Sequence, residues 1–181
     1  MDSGPGPPPL VQCTTLMKFI AQQPLLEERI PLGRSLVELC LLNRQLLPIV
    51  AQSMEFLSLV PSLLELPNMR TFIVAFLSIA PPDAAPVIKI LQQMLSTGNR
   101  SDLVLTICRQ YLESTDIQDA FKAYFLVDQG MLSCFIDMLS SISSADLFRN
   151  LIRVIGSALA YCAAARQSCH FFNSFRLIEA A

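Results

Sequence analysis

From Asp128 to Cys162 the chain reads DQGMLSCFIDMLSSISSADLFRNLIRVIGSALAYC, two apolar-faced helices in tandem. Met131 to Leu139 predicts a short, mostly apolar helix entered from Gly130. Ala145 to Tyr161 predicts a longer one, entered from a serine-rich turn in which Ser144 can accept a bond from a free backbone N–H. Such a pair cannot bury its apolar faces alone and needs copies of itself on either side, which is the logic of an α-solenoid. The expected fold class is therefore all-α, an armadillo/HEAT-like α-solenoid of stacked helical hairpins. Proteins built this way generally act as surfaces that hold other chains, not as catalysts.

The rest of the chain agrees in kind. Prolines fall where helices should open: Pro31 ahead of Leu32 to Asn43, Pro48 ahead of Ile49 to Val60, Pro86 ahead of Val87 to Leu95. Pro61, Pro67 and the Pro81-Pro82 pair should stop or kink what precedes them. No sustained apolar/polar alternation is found, so strands are not expected. A repeat is visible: Asp102-Leu103 recurs as Asp146-Leu147, Ile107 as Leu151 and Arg109 as Arg153, each 44 residues on. That step lies inside the roughly 40 to 47 residue period of HEAT and armadillo units. Residues 1–12, rich in Pro and Gly, read as a disordered tail whose Pro5 to Pro8 spacing is better taken as flexible chain than as a docking motif. Residues 13–181 read as a single armadillo-like helical-repeat domain.

Composition decides the environment. Of 181 residues, 52% are hydrophobic and only 15% charged, so neighbouring helices or a partner must cover much of the surface. Mean hydropathy is +0.48, yet no span of roughly 18 to 20 uncharged apolar residues exists, and no membrane partner is expected. The N-terminus has no basic residue and no apolar core, unlike a signal peptide. Cys13, Cys40, Cys108, Cys134, Cys162 and Cys169 sit singly in apolar stretches, the pattern of reduced, buried thiols. The expectation is a cytoplasmic chain, with the nucleus as a second compartment, and the sequon Asn99-Arg100-Ser101 is read as a chance match. Net charge is −2 and the 13 Lys and Arg residues are scattered, which argues against an autonomous nucleic-acid binder.

Helical phasing assigns faces to the last long helix. Leu147, Leu151, Val154, Ile155, Ala158 and Leu159 make the wide apolar stripe of a core-facing helix. Asn150, Arg153, Ser157 and Tyr161 follow at spacings of three and four along the other side. In armadillo stacking the longer helix of a unit lines the concave groove, so this polar ladder is the candidate partner-binding surface, weighed against an ordinary solvated helix face.

The pattern VELC…LLPIVAQ…VPSLLEL (Val37 to Leu66), QDAFKAYFLVDQGMLSCFIDMLSS (Gln118 to Ser141) and DLFRNLIRVIGSAL (Asp146 to Leu159) resembles the armadillo-repeat subunit of the CCR–NOT messenger-RNA deadenylation complex, the "required for cell differentiation" family. Leu47, Pro48, Ala51, Leu63, Leu64 and Glu65 match its leucine-rich helix and Leu-Leu-Glu run. Ala120-Phe121 matches a turn, Val154-Ile155-Gly156 a motif inside a long helix, and Phe171-Phe172 an aromatic-aliphatic pair. The segment from about Phe72 to Leu95 is extra relative to the family, and the chain covers roughly the family's N-terminal half. The resemblance implies an adaptor role in messenger-RNA turnover and translational repression. The family's later repeats, which carry its tryptophan pockets and scaffold docking, have no counterpart here, so no binding residue is carried over.

Catalytic vocabulary is thin. The only histidine, His170, adjoins Cys169, and neighbours on a helix point about 100° apart, so the pair is no dyad. Cys162, Cys169 and His170 match no zinc spacing, phosphate-cradling glycine motifs are absent, and Glu27-Glu28 suits a helix start. Met131, Phe135 and Met138 read as core. No catalytic residue, metal or cofactor is expected. The function expected is a non-enzymatic interaction scaffold whose partner is a helical or extended peptide of a larger scaffold. Two alternatives stand beside it: helical-repeat RNA binding, and a half-solenoid that self-associates through a C-terminal end lacking a polar cap.

Overall fold

Gly130 and Ser144 fix the two helices from which the sequence is read. Gly130 takes φ +72°, a left-handed turn that a side chain would strain, and a helix runs from Met131 to Leu139. Ser144 accepts from Leu147 N at 3.4 Å and opens a helix over Ala145–Tyr161. In this computed structural model residues 6–169 are described, and every described element is helical, with no strand among them. In order they are α1 (Pro9–Gln22), α2 (Leu26–Leu42), α3 (Leu47–Val50), α4 (Met54–Leu57), α5 (Val60–Leu63), α6 (Met69–Leu77), α7 (Pro81–Ser96), α8 (Ser101–Glu113), α9 (Asp119–Ala123), α10 (Met131–Leu139), α11 (Ala145–Tyr161) and α12 (Ala163–Cys169). A short 3-10 turn, Arg44–Leu46, precedes α3, and a wide π turn, Tyr124–Asp128, follows α9.

Several boundaries differ from the sequence expectation. The first helix begins at Pro9, inside the stretch expected to be tail, because Pro9 needs no N–H partner at a helix start. Pro31 and Pro86 do not open helices; each is the sixth residue of a longer one, α2 and α7. The carbonyls their missing N–H groups leave free belong to Glu27 and Pro82, both exposed, where water can take the bond. The helix expected over Ile49 to Val60 breaks into short pieces. Ser53 accepts from Phe56 N at 3.3 Å and starts α4 afresh, while Ser58 Oγ donates to the Glu55 carbonyl at 2.7 Å.

The chain divides into two compact units, 1–90 and 91–181. In the first, α1 packs on α2 and α4, and α2 on α5 and α6. Gly33 makes the α2–α5 approach: a Cβ there would stand 3.0 Å from Leu63 Cδ1 and 3.2 Å from Leu59 Cδ1. Phe56, Phe72 and Phe76 form its aromatic centre, with centroids 5.8 Å and 5.5 Å apart in sequence order.

In the second unit α8 and α11 lie against each other, with α10 packed on α11 and on the π turn. Val104, Leu105, Cys108, Tyr111 and Leu112 from α8 meet a core that includes Leu151, Val154 and Ala158 from α11. Tyr111 and Phe125 rings stand 5.0 Å apart. Eight buried apolar side chains from two helices whose starts lie 44 residues apart therefore share one interior, and α11 is held by its inner face. Its C-terminus is closed by Arg166, whose Nη1 donates to the carbonyls of Leu159 (2.6 Å) and Ala160 (3.1 Å).

Candidate functional site

The four residues expected to line a groove do not share one fate. Ser157 is 7% exposed and turned into the protein, where its Oγ donates to Glu113 Oε1 at 2.7 Å and to the Arg153 carbonyl at 3.0 Å. Asn150 is half-buried. Tyr161 is 47% exposed, and the Lys122 ammonium stands 5.7 Å from its ring centroid. Arg153 is exposed and has no acidic partner among the described residues.

Ser157 is drawn inward by what α8 offers. Glu113 sits in the last turn of α8, within 3.8 Å of Arg109 Nε, and its second role is to accept the serine hydroxyl. Lys122 is also buried, and its Nζ donates to the Ser114 carbonyl at 2.9 Å, holding the turn that follows α8. These contacts knit α8, α9 and α11 together. They leave Arg153, of the expected ladder, on the open side of α11.

That open side carries residues the polar reading passes over. Phe148 is 45% exposed and Ile152 46%, one helical turn apart on the same face. With Ile142, Arg149 and Arg153 they border a cleft of about 520 Å³. Gly156 continues the face: it is exposed, and an added Cβ would meet nothing within 4 Å. Arg149 Nη1 is paired with Asp146 Oδ1 at 2.9 Å, both well exposed. The signal was present in the order of residues, since Phe148 and Ile152 stand four apart and outside the stripe Leu147-Leu151-Val154-Ala158.

Chemistry elsewhere is muted. All six cysteines are free. Burial pushes the Cys40 thiol up to about 12, helped by the nearby Cys13, and raises Cys108 further, with Cys134 adding to the effect. Cys134 borders a cleft of about 430 Å³ with Gln92, Ser96, Gly130 and Asp137. Burial first, and the Asp137 carboxylate second, hold its thiol protonated, which makes it a poor nucleophile. Among the described residues no three His, Cys, Asp or Glu side chains converge so as to hold a metal ion. His170 and Phe171-Phe172 lie outside the described residues. No single helix among those described is long and apolar enough to cross a membrane; α11 and α12 together have the length and composition, but they meet at a bend of 113°.

Comparison with protein-family models, with curated proteins and with solved structures finds no match for this chain.

Proposed function

We propose that this chain is a non-enzymatic protein-interaction module whose docking surface is the outer face of α11. One observation carries the reading: Phe148 and Ile152 stand half-exposed beside each other while the inner face of the same helix is packed on α8. Half-exposed neighbouring apolar side chains beside an open cleft are the ordinary starting point of a protein interface.

Two finer elements belong to the proposal. One is armadillo-like stacking, supported by α8 and α11 packing together with starts 44 residues apart, at the sequence period. The other is an adaptor role in messenger-RNA deadenylation and translational repression, in the cytoplasm and also the nucleus, which rests on the family resemblance and implies a peptide of a larger scaffold as partner.

Affinity purification of the tagged full chain from its native cell, beside a Phe148→Ser/Ile152→Ser variant, tests the reading. Both positions are open to solvent, so the variant should keep the helical circular dichroism of the parent. We expect the variant to lose specific co-purifying chains, with deadenylase subunits among those lost. An identical set of chains from both would remove α11's outer face as the docking surface.

A further inference from the structure

Resting on the interaction-module reading, we propose that the outer face of α11 binds an amphipathic partner helix of about three turns that carries Asp or Glu along the edge meeting Arg153. At about 100° per residue, the exposed Phe148 and Ile152 and the half-buried Leu159, which the sequence placed in the core-facing stripe, fall within roughly 40° of one another, and Arg149 and Arg153 lie some 100° to 140° round from Phe148. Gly156 lies between the apolar row and the basic edge, and the space over it is empty to 4 Å. From Phe148 to Leu159 the row is about 16 Å long at 1.5 Å per residue, which sets the length of helix it can match. A bare glycine one turn beyond Ile152 allows a helical backbone to come close, while Phe148 and Ile152 meet its apolar side chains, the helix-in-groove mode of recognition.

Charge selects the occupant. The whole chain is acidic, at −2, yet between Ser140 and Cys169 its only acidic residue is Asp146, against Arg149, Arg153 and Arg166. Asp146 is already engaged by Arg149 at 2.9 Å. Arg153 is left with no carboxylate among the described residues, at the rim of an apolar cleft, where a partner's Asp or Glu would complete it. A second copy of this chain suits the face poorly: isologous pairing lays the patch on itself, and the patch offers only the occupied Asp146. Anionic lipid suits it poorly too, because two arginines fall short of the four to eight basic residues such surfaces generally need.

The test presents the full chain with a display library of helical peptides about four turns long. We expect enrichment of peptides with apolar residues at i, i+4 and i+7 and with Asp or Glu along one flank. Arg153→Glu should weaken the enriched peptides about tenfold and shift the selection toward Lys and Arg. Gly156→Trp, placed where a side chain meets empty space, should abolish binding while leaving the circular dichroism unchanged. Basic or uncharged winners, no enrichment, or enrichment indifferent to both substitutions would each overturn the proposal. It would equally fall if Gly156→Trp dissolved a dimer seen by sedimentation, or if Arg153→Glu released the chain from phosphatidylserine vesicles. Should the acidic preference fail while Phe148→Ser/Ile152→Ser still loses partner chains, the choice of ligand is wrong and the interaction module stands.

Discussion

Ser157 Oγ donates a 2.7 Å hydrogen bond to Glu113 Oε1, joining α11 to α8 across an interval of 44 residues. It is the interval at which Asp102 recurs as Asp146 and Arg109 as Arg153, so the bond links equivalent places on two helices. A serine phased as part of an outward polar ladder thus becomes a rivet between elements.

Replacing Ser157 by Ala should lower stability by about 1 kcal/mol. The acceptor is charged, which strengthens the bond, but Glu113 keeps 46% of its side chain exposed and can be rehydrated when the hydroxyl is gone. Ser157→Asp should cost more, because it sets two carboxylates against each other. Urea unfolding followed by circular dichroism measures both. A Ser157→Ala chain that is fully stable but has lost partner chains would return Ser157 to the binding surface.

Two helical glycines should respond in opposite directions. Gly156→Ala meets open space on an exposed helix face, so the helix propensity gained should raise stability by about 0.5–1 kcal/mol. At Gly33 even a Cβ would stand 3.0 Å from Leu63 Cδ1, so Gly33→Val should cost about 1–3 kcal/mol by overpacking α2 against α5. Thermal unfolding of the pair decides it; equal shifts would contradict the packing of α2.

How much of this was legible follows from what each residue answers to. Met131–Leu139 and Ala145–Tyr161 were readable because Gly130 and Ser144 act locally, through backbone conformation and a capping bond three residues on. Pro31 and Pro86 misled, since a proline's position in a helix depends on whether water can reach the carbonyl it leaves free, and that is a property of the packed chain. The ladder Asn150-Arg153-Ser157-Tyr161 came apart for a similar reason. Periodicity gives the direction of a side chain, but not that Glu113 and Lys122 wait there. Phe148 and Ile152 lay outside the expected core stripe, but spacing alone does not tell how much of each side chain the neighbouring helices leave exposed.

Lys122 should be intolerant of charge reversal and tolerant of an apolar chain of its own length. Its buried ammonium is balanced by the Ser114 carbonyl at 2.9 Å and the Tyr161 ring at 5.7 Å. Lys122→Glu would bury a carboxylate against a carbonyl and a ring face, at a cost above about 3 kcal/mol. Lys122→Met keeps the stem, discards the desolvated charge, and should stay within about 1 kcal/mol of the parent. Urea midpoints for the two variants give the comparison. Lys122→Met as damaging as Lys122→Glu would mean that the charge itself, through the Ser114 contact, holds the turn.

Stability should fall in alkali from about pH 9 upward. Burial raises Cys40 from 9.0 to about 12 and raises Cys108 and Tyr111 beyond that, burial being the largest cause for each. In the unfolded chain the thiols lose their protons near 9, while the folded chain keeps them. Between the two values the native state holds more protons, so unfolding becomes easier as pH rises, at up to about 1.4 kcal/mol per pH unit for each buried thiol. Below pH 9 these groups are protonated in both states, and their stabilising effect is fully present. Urea unfolding at steps from pH 7 to 11 should therefore show a plateau and then a decline, with the decline shallower in Cys40→Ala once its lower starting stability is allowed for. Alkylation by iodoacetamide at pH 8 should leave Cys40 and Cys108 unmodified in the folded chain and label both in urea. Prompt labelling of Cys108 without denaturant would show that the α8 core opens readily, and the expected alkaline decline would fail with it.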